Sequence, residues 1–131
     1  MKRRPTLVIA DDNFTIVEGS IRPLLERDFD IVATVHDGKA AVVAAGQYLP
    51  SVILLDVSLP VLRGFDAARE IITKHPDLKI LFVSNYAERA YVDEARRIGA
   101  SGYVLKNRVA SELLDAIGVA LNGGFYQPAR L

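Results

Sequence analysis

Five short apolar runs recur along the chain, and a segment with helical spacing follows each of them. The runs are continuous rather than alternating, which is typical of strands that are covered on both faces in a parallel sheet. They occupy residues 7–10, 30–35, 52–55, 80–83 and 103–105. The pattern therefore predicts five buried parallel strands.

The segments after the strands predict five helices, at residues 14–26, 38–48, 65–75, 88–98 and 111–121. In the first helix, Phe14 is expected on the apolar side. Pro23 lacks a backbone donor and should kink this helix, with Gly19 four residues earlier relieving the clash. Gly99 is a suitable C-cap for the fourth helix. Alternating strands and helices predict a doubly wound α/β fold with right-handed crossovers.

Composition narrows the classes of function. The chain has 131 residues, enough for one domain, and half of them are hydrophobic. Lys plus Arg and Asp plus Glu both number 16, so the chain lacks the basic excess that nucleic-acid binding requires. It has no cysteine, which excludes disulfides and thiol catalysis and favours a cytoplasmic location. No apolar run approaches the roughly 20 residues of a membrane span, and the basic leader at residues 1–5 is unlike a signal peptide.

Polar residues stand where four of the five strands end. Asp11 and Asp12 follow the first strand, and Asp56 follows the third. Ser84 follows the fourth and Lys106 the fifth. Because sites in open α/β sheets form beyond the carboxyl ends of the strands, these side chains are expected to converge.

The converging residue types indicate phosphoryl-transfer chemistry. Three carboxylates close together repel one another, and a hard cation such as Mg²⁺ relieves that repulsion. Lys106 offers a point charge for phosphate and Ser84 a hydroxyl donor. A metal site of this kind beside a lysine suits transfer of a phosphoryl group onto Asp56.

These residues, with Pro60 and Tyr103, resemble the conserved set of two-component receiver domains. The resemblance covers residues 6–124, and residues 125–131 would then begin a C-terminal linker or tail. It implies a flavodoxin/CheY-like fold with strand order 2-1-3-4-5. Residues 56–60, 99–106 and 122–126 are similar to the NarL/LuxR-type branch, whose members usually carry a C-terminal helix-turn-helix.

The resemblance also implies roles at the metal site. Asp12 and Asp56 would bind Mg²⁺ directly, together with the backbone carbonyl of Ser58, and Asp11 would act through a water molecule. Mn²⁺ is an alternative ion.

Further roles concern the phosphoryl group and the switch. Asp56 would be the phosphoacceptor, and Lys106 and Ser84 would bind the phosphoryl oxygens. Tyr103 would change orientation as Ser84 moves, and the face formed by the fourth helix, fifth strand and fifth helix would report the change.

The implied partner is a sensor histidine kinase, and a homodimer is left open. DNA would be contacted only through a C-terminal domain absent from this chain, and no membrane contact is expected. The domain would be no ordinary enzyme, since it promotes its own phosphotransfer and dephosphorylation. A stand-alone receiver that acts by binding a partner protein is the alternative.

Other interpretations of the residues are weaker. Taken singly, Asp11 or Asp12 would be a helix cap and Lys106 a surface lysine. A Mg²⁺-dependent aspartyl-phosphate phosphatase typically has a second Asp two residues after the nucleophile, where this chain has Ser58. A flavodoxin-like cofactor binder would have hydroxyl and glycine residues in place of Asp11 and Asp12. A receiver that binds partners without phosphorylation would be expected to lack an acid or Lys106.

Two residues depart from the common receiver pattern. Asn107 stands where a proline, often with a cis bond, frequently follows the lysine. A cis bond to a non-proline residue costs about 3–4 kcal/mol, so the Lys106–Asn107 bond is predicted to be trans. Asn85 is larger than the alanine often found beside the switch serine, and it is expected to narrow the path of water to the phosphoryl group.

Overall fold

The computed structural model describes residues 4–131, so the first three residues of the predicted leader lie outside it. Five parallel strands form one sheet in the order β2-β1-β3-β4-β5, which confirms the predicted fold and strand order. The strands are β1 (Thr6–Ala10), β2 (Asp30–Val35), β3 (Val52–Leu55), β4 (Lys79–Ser84) and β5 (Gly102–Leu105). The central strand β3 is buried throughout, as its unbroken apolar run predicts.

Helices cover both faces of the sheet. The first, α1, consists of an α-helical turn (Phe14–Ile16), a π-helical segment (Val17–Ile21) and a second α-helical turn (Arg22–Leu25). The others are α2 (Gly38–Tyr48), α3 (Gly64–Lys74), α4 (Arg89–Arg97) and α5 (Val109–Leu121). One core cluster lies under α2, α3 and α4, and a second lies under α1 and α5. Within residues 4–131, no helix is long and apolar enough to cross a membrane.

The predicted irregularity around Pro23 takes the form of a widened turn. The N–H of Arg22 donates to the carbonyl of Val17, five residues back, so the π segment lies directly before the proline. This widened turn tolerates the absence of an N–H at Pro23 and leaves room for the proline ring. An added Cβ at Gly19 would meet no atom within 4 Å, so the turn, and not the glycine, provides the adjustment.

The prediction for Phe14 was wrong. Its side chain is 70% exposed, whereas Val17 and Ile21 on the same helix are buried at 2% and 1%. Phe14 belongs to the first turn of α1, right after the Asn13 cap and close to the Asp11–Asp12 loop. At that level β1 has already ended, so the sheet does not cover the ring.

The loop between β3 and α3 contains a strained turn. The N–H of Leu62 donates to the carbonyl of Pro60 at 2.8 Å, which closes a γ-turn around Val61. Val61 has φ +71°, a conformation that β-branched residues avoid. Its side chain is 72% exposed, so no packing compensates for the strain.

We predict that Val61→Gly stabilises the protein. Relief of the strain is worth about 1–3 kcal/mol, and the extra freedom of glycine in the unfolded chain takes back about 0.5–1 kcal/mol. The expected net gain is about 1 kcal/mol in urea denaturation. The matched control is Val43→Gly, at a valine of α2 that is 66% exposed, and it should lose about 0.5 kcal/mol instead. A loss of stability in both variants would contradict the presence of strain at Val61.

Candidate functional site

The parallel register brings the predicted polar residues to one edge of the sheet. Ala10 pairs with Leu55, so Asp11 and Asp56, the next residues, emerge side by side. Both carboxyl side chains are buried, as is Lys106 after β5. Asp11, Asp56 and Lys106 therefore converge, as strand order predicts.

The ammonium group of Lys106 bridges the two buried carboxylates. Its Nζ lies 2.9 Å from Oδ2 of Asp11 and 3.0 Å from Oδ2 of Asp56. The second oxygen of each carboxylate binds its own loop, because Oδ1 of Asp11 accepts from the N–H of Asn13 and Oδ1 of Asp56 from the N–H of Ser58. Both carboxylates are thus fixed in orientation.

Two backbone features help to position these residues. The bond between Lys106 and Asn107 is trans, as predicted, and Lys106–Arg108 form a 3₁₀ turn that leads into α5. On the other side, the N–H of Gly64 donates to the carbonyl of Val57 at 3.0 Å. A Cβ at Gly64 would stand 2.1 Å from the carbonyl oxygen of Asp56, so glycine is required for α3 to begin this close to the site.

Burial and neighbouring charges shift the pKa values of Asp11 and Lys106. Burial raises the pKa of Asp11, and the charge of Asp56 adds to this, against the hydrogen bond from Lys106. For Lys106, burial alone would lower the pKa, but the hydrogen bonds and charges of Asp11 and Asp56 raise it above its usual value. The lysine therefore stays protonated between two acids.

The acidic cluster fits a hard divalent cation. Asp11, Asp12 and Asp56 each offer an oxygen, and these oxygens lie within 4.8 Å of one another. Asp12 is exposed, so the cluster is open to solvent on that side. With one lysine against three carboxylates, a net negative charge remains for a cation to balance.

His36 lies beside the site. Its Nδ1 is 3.2 Å from the backbone carbonyl oxygen of Asp11. The residue is exposed, and it directly follows β2. The sequence could have indicated this proximity, because His36 stands at the carboxyl end of a strand, as the site residues do.

Ser84 and Tyr103 meet at the backbone of Tyr86. The fully buried hydroxyl of Ser84 accepts from the N–H of Tyr86 at 3.0 Å. The hydroxyl of Tyr103 donates to the carbonyl of the same residue at 2.8 Å. Tyr103 is fully buried, and burial raises its pKa to about 12 against an opposing effect of the Ser84 hydroxyl. One residue of the β4–α4 loop thus contacts both predicted switch residues.

An aromatic stack, which the sequence pattern did not indicate, supports this loop. The ring of Tyr86 stacks on Tyr91 with centroids 4.7 Å apart, and Tyr91 stacks on Phe65 at 6.2 Å. Phe65 in turn packs on Phe82 at 4.9 Å. The stack connects the loop to α3, α4 and the strand that ends in Ser84.

Comparison with known proteins agrees with this geometry. The model of the response regulator receiver domain matches residues 7–118. The chain belongs to the response regulator receiver family. A relative is the transcriptional regulatory protein DegU of Brevibacillus brevis, which is 40% identical over 121 residues, covering 92% of this chain and 51% of that protein.

Solved structures of receivers are also similar to this one. A LuxR-family two-component response regulator from Aurantimonas sp. SI85-9A1 superposes with a TM-score of 0.88 at 29% identity, over 95% of this chain and 89% of that one. The signal receiver domain of the putative response regulator NarL from Mycobacterium tuberculosis superposes with a TM-score of 0.85 at 29% identity, over 93% of this chain and 99% of that one. The chain spans about half the length of the curated relatives it matches. The resemblance to the NarL/LuxR-type branch is confirmed by these relatives.

We predict that the free energy of unfolding of Asp11→Asn, relative to that of wild type, rises with pH in the metal-free receiver. A carboxyl group whose pKa is raised by folding binds its proton more tightly in the folded state. The free energy of unfolding therefore falls as pH rises from 3.8, the usual pKa of this carboxyl group, to its raised pKa in the folded protein. Asparagine has no charge and avoids this cost, and its single side-chain oxygen can accept either from Lys106 or from the N–H of Asn13. Urea denaturation in EDTA should show a difference from wild type that grows with pH over this range. A difference that shrinks would contradict the sign of the shift.

Proposed function

We propose that this receiver accepts a phosphoryl group on Asp56 from a sensor histidine kinase. One observation supports this above the others. Asp56 is a buried carboxylate at the end of a strand, paired with Lys106 at 3.0 Å and placed within an acidic cluster that suits a divalent cation. The cluster lies in a fold whose relatives include transcriptional regulators.

The chemistry is a displacement at phosphorus. A carboxylate oxygen of Asp56 bonds to the phosphorus of a phosphohistidine, the P–N bond breaks, and the imidazole leaves with the electron pair. Lys106 gives up its contact with Asp56 and binds a phosphoryl oxygen. Mg²⁺, or Mn²⁺, bound by Asp12, Asp56 and the Ser58 carbonyl, with Asp11 through water, would offset the repulsion between phosphate and carboxylate.

The switch follows from the contacts at Tyr86. When the Ser84 hydroxyl turns to donate to a phosphoryl oxygen, it leaves the N–H of Tyr86 and draws the β4–α4 loop inward. The buried position of Tyr103, with its hydroxyl on the Tyr86 carbonyl, is the arrangement that this movement favours. Phosphorylation thereby shifts a conformational equilibrium through differential affinity for its two states.

The phosphoacceptor is tested by intact mass after incubation with acetyl phosphate and Mg²⁺. Wild type should gain one phosphate adduct, and Asp56→Ala should gain none because the acceptor oxygen is gone. Asp93→Ala, at an exposed aspartate of α4, is the matched control and should behave as wild type. An adduct retained in Asp56→Ala would refute the assignment.

The metal ligands are tested by titration with Mg²⁺. Asp12→Ala should weaken binding more than Asp11→Ala, because Asp12 is proposed as a direct ligand and Asp11 as a ligand through water. Asp11 also gives one oxygen to Lys106, which limits what it offers the ion. Equal affinities for wild type and Asp12→Ala would contradict this division of roles.

For the whole protein, we propose a cytoplasmic regulator in which this receiver controls a C-terminal helix-turn-helix domain. Relatives of about twice this length are transcriptional regulators, and residues 122–126 are similar to the NarL/LuxR-type branch, in which such a stretch leads into a linker. The zero net charge of this chain leaves DNA contact to another domain. Phosphorylation would then act through dimerisation or through release of that domain.

The reading frame of the native gene after the codon for Leu131 tests this. A small helical domain there would support the regulator. A stop codon would favour a stand-alone receiver that binds a partner protein.

A further inference from the structure

Residues 125–128, here called the latch, lie along the outer edge of β5. Tyr126 forms a parallel bridge with Gly102. Its N–H donates to the carbonyl of Ser101 at 3.0 Å, and its carbonyl accepts from the N–H of Tyr103 at 3.1 Å. The backbone of the predicted switch residue is thus bound directly by the latch.

Side chains of the latch contact both helices beside β5. The guanidinium of Arg96 on α4 lies 4.1 Å from the ring centre of Phe125 and donates to Oε1 of Gln127 at 3.0 Å. On the other face, the hydroxyl of Tyr126 donates to Oε1 of Glu112 on α5 at 2.9 Å. The latch therefore has the alternating faces of a short strand.

The receiver is shaped to accept this segment. Gly102 has φ +152°, and a Cβ there would stand 2.9 Å from the backbone nitrogen of Tyr126. Only glycine lets the latch come this close to β5. Pro128 is buried, although its neighbours on both sides are exposed. These features distinguish the latch from a tail that merely rests on the surface.

The position of the latch bears on how Tyr103 can move. The ring of Tyr103 packs in the core cluster under α2, α3 and α4, and Phe125 packs against the same cluster. The register of β4 and β5 places Phe82 beside Tyr103 on the inner side. A ring that leaves the core must therefore pass the edge of β5, where the latch lies.

We propose that the docked latch holds Tyr103 in its buried position, and that docking of the latch and phosphorylation of Asp56 strengthen each other. The coupling between docking and phosphorylation rests on the proposed function, in which phosphorylation favours buried Tyr103. Such coupling is reciprocal, so the factor by which a docked latch raises affinity for the phosphoryl group is the factor by which that group favours docking.

The test uses the full chain and beryllofluoride with Mg²⁺ as the phosphoryl mimic. The variant Arg96→Met/Tyr126→Phe removes the contacts of the latch on both faces but retains its apolar packing. The control is Arg97→Met, the adjacent arginine of α4, which is exposed and pairs with Glu94. Amide hydrogen exchange at Tyr103 and Tyr126 reports docking, and titration reports the affinity for beryllofluoride.

We expect exchange at both amides to be about tenfold faster in the double variant, and affinity for beryllofluoride to fall several-fold. The control should match wild type in both measurements. In wild type, beryllofluoride should slow exchange at the same two amides. Unchanged exchange in the double variant would overturn the latch, and faster exchange with unchanged affinity would overturn the coupling. A wild type and control that both fail to bind beryllofluoride would instead overturn the proposed function.

Discussion

The ion pair of Lys106 with Asp11 and Asp56 is the interaction on which the site depends. It joins residues that follow β1, β3 and β5, and β4 lies between the last two of these strands. A buried charge left without its partner costs about 3–5 kcal/mol, so the three side chains constrain one another strongly. Any event that draws Lys106 away must give Asp11 and Asp56 another positive charge and give Lys106 another anion, and a bound cation and a phosphoryl group would supply these respectively.

The strands and the approach of Asp56 to Lys106 were predictable from the sequence because one general rule governs many residues. Unbroken apolar runs marked the strands, and the rule for the carboxyl ends of parallel strands brought Asp56 and Lys106 together. The features that were not predictable are those that tertiary surroundings decide. Helical spacing cannot show that β1 ends below Phe14, nor that Tyr86 and Tyr91, five residues apart and on different elements, stack.

The same limit applies to the contacts of the latch. Its residues resemble a linker in composition, and nothing local indicates that Tyr126 pairs with Gly102, 24 positions earlier in the chain. Contacts between distant segments leave no periodic pattern in either one. The positive φ of Gly102 is equally hidden in the sequence, since a glycine at the start of a strand can also mark a bulge or a tight bend.

The sheet divides the core into two layers that substitutions can alter separately. Tyr103 and the aromatic stack lie in the layer under α2, α3 and α4, whereas α1 and α5 pack in a separate cluster behind the backbone of the sheet. Substitutions in the second layer can alter how firmly the domain folds while the groups around Tyr103 keep their places. The stability of the domain can therefore be tuned through the second layer without rebuilding the packing around Tyr103.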